Sequence, residues 1–121
     1  MAIRRLSITV ALLLISTPAC WAHSFPRHEN PSAGQRLSAA PAQVSILYDA
    51  PVEKLFATLK VLDANGHNWA SGPPTVSPDG YTLSVKLPPL KPGKYTVKWA
   101  CVCVDTHHTE GSYNFTVAAT R

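Results

Sequence analysis

Helical periodicity is what this 121-residue chain most plainly lacks. Beyond residue 22 no stretch carries apolar residues at helical spacing, so no amphipathic helix is expected. Long apolar runs are missing too. The longest apolar core, Ile8–Ile15 near the start, amounts to about eight to ten residues against the roughly twenty that cross a hydrocarbon layer, which argues against a retained membrane anchor. Cysteine occurs three times, too rarely for a disulfide framework. The lysines at 54, 60, 86, 91, 94 and 98 stand singly among apolar residues and form no basic stripe, so a nucleic-acid partner is not expected. Methionine is present only as Met1.

What the first 22 residues do contain is a secretory leader: Arg4 and Arg5, the apolar core, Pro18, and then the small residues Ala19, Cys20 and Ala22. Cys20 at −3 and Ala22 at −1 satisfy the small-x-small rule, so cleavage is expected to free His23 as the first residue of the mature chain. Thr17-Pro18-Ala19-Cys20 resembles a lipoprotein box that would leave Cys20 lipidated, but it lacks the apolar residue such a box wants at Thr17. Residues 1–22 are therefore read as signal peptide and 23–121 as one domain of 99 residues with room for a single core. Nine Lys and Arg remain against seven acidic residues, a side-chain charge of +2. The compartment is one that can oxidise Cys101 and Cys103.

Alternation of apolar and polar residues is clear in Val44–Tyr48, Ala57–Val61, Tyr81–Leu87 and Tyr95–Trp99. Turn-forming clusters separate them: Asp63-Ala64-Asn65-Gly66, Ser77-Pro78-Asp79-Gly80 and Pro88–Gly93. A first strand near Phe25–His28 and a last at Ser112–Val117 bring the total to about seven short strands. The fold class is all-β, a small seven-stranded Greek-key sandwich of immunoglobulin-like type, with a small antiparallel barrel as the alternative.

The residues that carry chemistry lie in Val104-Asp105-Thr106-His107-His108-Thr109-Glu110-Gly111. In extended backbone Asp105 and His107 leave the same side, where a carboxylate oxygen and an imidazole nitrogen can meet one small cation. Asp-x-His alone is common by chance and gains force only if His23 joins it.

Two stretches give the chain a family likeness. One is His23-Ser24-Phe25-Pro26 with Pro31-Ser32-Ala33-Gly34, Leu37, Pro41, Val44 and Leu47–Glu53. The other runs from Leu87–Trp99 through Asp105-Thr106-His107 to Gly111–Val117. In order, spacing and residue type the chain resembles the periplasmic copper-resistance proteins of the CopC type. The resemblance implies a seven-stranded sandwich that binds one Cu(II) ion at one end. The ligands it implies are His23, through amine and imidazole, with Asp105 and His107. Nitrogen and oxygen donors in a tetragonal plane suit Cu(II), and an N-terminal histidine places two nitrogens in one chelate ring.

The sequence departs from that pattern in three places. The methionine-rich loop that some members use for Cu(I) is absent. His108 stands where relatives have Pro and is expected to face solvent. Cys101 and Cys103 stand where Val and Ser are expected. Counted along the strand, Tyr95, Val97, Trp99, Cys101 and Cys103 share one face, which favours small buried thiols. Thiolate ligation of Cu(I) and a Cys101–Cys103 disulfide are the other two readings of the pair. His67, after the Asn65-Gly66 turn, reads as a surface residue, and His28 could share the His23 site only through a bulge.

The function expected is a non-enzymatic periplasmic Cu(II) carrier or buffer in copper homeostasis, monomeric, with an inner-membrane copper transporter as the recipient. Two other classes compete. A histidine-brace copper oxygenase needs an extended substrate face and usually a much longer chain. A metal-free immunoglobulin-like interaction module would leave His23, Asp105 and His107 as ordinary polar residues.

Overall fold

The computed structural model describes residues 24–119. Residues 1–22, expected to be a signal peptide, and His23 lie outside the described residues. Among the described residues eight strands form: β1 Pro26–Asn30, β2 Arg36–Leu37, β3 Gln43–Tyr48, β4 Thr58–Leu62, β5 Thr75–Val76, β6 Thr82–Lys86, β7 Gly93–Val102 and β8 His108–Val117. A 3-10 turn, Lys54–Phe56, precedes β4. Among the described residues no helix is long and apolar enough to cross a membrane.

One sheet has the order β1-β3-β6-β5 and the other β2-β8-β7-β4. Labelled A to G and leaving out β2, these are the A-B-E-D and C-F-G sheets of an immunoglobulin-like sandwich. The barrel alternative is overturned by this order, because an up-and-down barrel pairs every strand with its successor. Here only β5–β6 and β7–β8 do so. The count exceeds seven by β2, a two-residue strand that adds parallel to the edge of β8 at Arg36↔Thr116 and Leu37↔Val117.

Period-two patterning explains the core. On β3, Val44, Ile46 and Tyr48 are wholly buried, while the intervening Ser45 and Leu47 face outward. On β7 the buried row is Tyr95, Val97, Trp99 and Cys101, and it continues past the strand end to Cys103. Beside it in the same sheet, and on the same inner face, stand Tyr113, Phe115 and Val117 of β8, with Tyr95 stacked on Phe115 at a centroid separation of 5.5 Å. The two faces meet as the inner layer of a sandwich.

The remaining histidines follow from the same geometry. The β1–β3 ladder does carry a bulge, between Pro26 and His28. Its effect is to pair Pro26 with buried Tyr48 and His28 with Leu47, so His28 joins the outer face. His67 is exposed and meets Trp69 edge to face at 4.6 Å. That turn is held by Asp63, whose carboxylate accepts from the Asn65 and His67 amides and from Trp69 Nε1.

Candidate metal centre

The β7–β8 hairpin is ten residues long on each side, and its connection carries the chemistry. The Cys103 amide donates to the His107 carbonyl at 3.0 Å, and the Thr106 amide to the Cys103 carbonyl at 2.9 Å. This is a short hairpin loop closed by a residue in left-handed conformation, Thr106 with φ of 76°. It corrects the extended backbone assumed above. Asp105 and His107 converge because the chain turns tightly, not because alternate residues share a side.

A β-branched residue is costly at that φ, and strain of this kind gathers at functional loops. Thr106→Asn keeps the turn with a residue that tolerates it and is expected to stabilise the protein by about 0.5–1 kcal/mol. The check is a higher denaturant midpoint at unchanged slope; a lower midpoint would mean that the threonine is held by contacts worth more than its strain.

Within the loop, three groups reach Asp105 Oδ1. The Cys103 thiol donates a hydrogen bond to it, His107 Nδ1 lies 3.2 Å away, and the His107 amide donates at 3.3 Å. These contacts, the thiol first and His107 after it, hold the Asp105 carboxyl below its ordinary range. Asp105 Oδ2 is buried and has no hydrogen-bond partner among the described residues. A buried carboxylate oxygen in that state calls for a cation, an ion-bound water or a further donor. Cys103, Asp105 and His107 together offer sulfur, oxygen and nitrogen atoms within 4.8 Å of one another.

The first described residues are tied to this loop. Ser24 is wholly buried. Its hydroxyl donates to the carbonyls of Ala50 and Pro51, both at 3.2 Å. Its carbonyl accepts from Thr109 Oγ1 at 2.8 Å, two residues beyond His107. Phe25 is fastened by its amide to Asp49 Oδ1 at 2.8 Å. The chain thus reaches the loop end of the sandwich one residue after His23.

The structure separates the two cysteines, and no disulfide joins them. Cys101 is sealed in the core, where burial pushes its thiol up and Sγ lies 3.3 Å from Thr109 Oγ1. Cys103 ends the same row at the mouth of the loop. Its thiol contacts Asp105, two residues on, the spacing on which the thiolate reading of the pair rests. His108 is exposed and faces Glu110, 3.4 Å away on the outer side of β8. Around the loop stand exposed apolar side chains, Phe25, Leu55, Phe56 and Val104. Pairing of Val52 with Cys103 brings the 3-10 turn to this end.

Fold and loop define a class: a small immunoglobulin-like sandwich with a cluster of sulfur, oxygen and nitrogen donors at one end that could hold a metal ion, next to Ser24, the first described residue. The CopC domain matches residues 27–118, and the chain belongs to that family. It is 36% identical to Protein YobA of Escherichia coli (strain K12) over 118 residues, covering 94% of this chain and 95% of that protein. It is 30% identical to Copper transport protein CutJ of Bacillus subtilis (strain 168) over 113 residues, 91% of this chain but only 21% of CutJ. Among solved structures, CopC from Methylosinus trichosporium OB3b superposes with a TM-score of 0.77 at 29% identity, covering 82% of this chain and 97% of that one. PcoC, a methionine-rich copper resistance protein from Escherichia coli, shares the fold with a TM-score of 0.67 at 24% identity, over 79% of this chain and 99% of its own.

Proposed function

We propose that this protein binds one Cu(II) ion at the loop end of the sandwich through the amine and imidazole of His23 together with Asp105 and His107, and serves as a periplasmic copper carrier or buffer. The observation that carries the reading is the convergence of Asp105 and His107 beside the anchored Ser24, whose carbonyl is held by Thr109. One peptide unit, about 3.8 Å between successive Cα atoms, separates Ser24 from His23. Two nitrogens from one residue, a third from His107 and a carboxylate oxygen make a donor set suited to tetragonal Cu(II), the tightest-bound of the common divalent ions.

Membership of the CopC family and the copper names of CutJ and PcoC support copper as the cargo. Transport in two steps is supported by CutJ, where a region like this chain makes up about a fifth of a longer copper transport protein. A separate inner-membrane transporter is then the recipient, and the exposed apolar rim of Phe25, Leu55, Phe56 and Val104 suits a docking contact that brings the loop to it. The role is non-enzymatic: the ion is carried, not used.

The test is a Cu(II) titration of the secreted protein, whose intact mass is expected to begin at His23. His107→Ala removes a ligand nitrogen and is expected to lower Cu(II) affinity by about a hundredfold or more. His108→Ala is expected to be near neutral, since His108 faces Glu110 on the outer side of β8. Damage from His108→Ala with His107→Ala harmless would reverse the assignment.

A further inference from the structure

Cys103 is more than the end of the core row. Its backbone forms the corner of the loop, donating to the His107 carbonyl and accepting from the Thr106 amide. Its thiol points at the same Asp105 oxygen that faces His107. Ligand bonds of about 2.0–2.3 Å let one ion join atoms up to about 4.6 Å apart. The sulfur, oxygen and nitrogen atoms here all lie within 4.8 Å of one another, close to that span, and the His107 ring is half-exposed. Asp105 Oδ2 beside them, buried and without a hydrogen-bond partner among the described residues, is a further sign that a positive group belongs in this space.

We propose that Cys103 is a sulfur ligand of this centre and that, with His107, it gives the site a state that holds Cu(I). The proposal rests on the reading of the loop as a copper site and extends it to the second valence. Sulfur is the donor that prefers the reduced ion, and imidazole accepts it. The mature chain expected after cleavage has no thioether to do this, because the one methionine of the sequence is Met1. Binding replaces the S–H bond of Cys103 with an S–Cu(I) bond and releases the proton to solvent, with no change in oxidation state. Cys101 takes no part: its sulfur is enclosed in the core against Thr109.

The experiment is an anaerobic competition titration of the mature protein with a chromogenic Cu(I) chelator, run beside Cu(II) titrations, on wild type, Cys103→Ser and Cys101→Ser. Wild type is expected to hold one Cu(I), Cys103→Ser to lose about a hundredfold or more in Cu(I) affinity, and Cys101→Ser to change by less than about threefold. Cu(II) affinity of Cys103→Ser should fall by less than about tenfold, since the nitrogen and oxygen donors remain. Equal Cu(I) affinity in wild type and Cys103→Ser, with Cu(II) still bound, overturns the sulfur ligand alone. Failure to bind either ion overturns the copper reading with it. Should Cys103→Ser not fold, X-ray absorption of wild type loaded with Cu(I) decides the matter: a sulfur neighbour in the copper shell is required, and a shell of nitrogen and oxygen only refutes it.

Discussion

A single alanine placed ahead of His23 in the mature chain is expected to cost about a hundredfold or more in Cu(II) affinity, or about 2.7 kcal/mol, while the thermal unfolding of the metal-free protein stays where it was. The first half of that expectation comes from chelation. In the proposed site the amine and the imidazole belong to one residue and close a ring on the ion together. After the insertion the His23 nitrogen is a peptide amide, and the new amine lies one residue farther away. The second half comes from the anchoring. Ser24 is held by four groups, the carbonyls of Ala50 and Pro51, Thr109 Oγ1 and, through the next residue, Asp49. None of these four contacts involves anything before Ser24, so extending the chain ahead of His23 is expected to leave them in place. Affinity in the native protein should also fall as pH drops through the ordinary range of an α-amine, about 7.7–8.0, because only the deprotonated nitrogen coordinates. Equal Cu(II) affinity in the two proteins would remove the amine from the ligand set and leave the loop to bind alone.

Patterning made the sandwich legible because burial on one face writes a period of two into every long strand. Val44, Ile46 and Tyr48 on β3 and Tyr95, Val97, Trp99 and Cys101 on β7 are buried as their alternation requires. Strands too short to alternate leave no such trace, and β2 and β5, each of two residues, exist only because a neighbouring strand offers them an edge. The loop shows a different limit. Asp105 and His107 could be picked out by residue type, yet the geometry that joins them depends on Thr106 adopting a left-handed conformation that a threonine does not advertise. Cys103 was harder still. Its parity assigned it to the core, correctly, and concealed that the last position of a core row is also the first position of the loop, where a buried sulfur can meet Asp105.

Gly111 offers the largest structural effect. It pairs with Trp99 across the β7–β8 ladder, and a Cβ added there would lie 2.7 Å from Trp99 Cζ2 and 2.9 Å from Cε2. In a strand interior, glycine ordinarily costs about 0.5–1 kcal/mol relative to alanine, so Gly111→Ala would stabilise if space allowed. Space does not allow it. The indole cannot swing aside, because it packs edge to face on wholly buried Tyr48 at 5.6 Å and sits in the row that leads to Cys101 and Cys103. Overpacking of this kind typically costs about 1–3 kcal/mol, and the closeness of the contact puts Gly111→Ala at the upper end. For a domain of this size that lowers the melting temperature by roughly 10–20 °C. A smaller ring should relieve the clash, since Trp99→Phe removes the indole's second ring and with it Cζ2. The double variant Gly111→Ala, Trp99→Phe is therefore expected to be more stable than the sum of the single effects by about 1 kcal/mol or more. Additive effects, or an unchanged melting temperature for Gly111→Ala, would mean that the indole is free to move and that the glycine is not there to admit it.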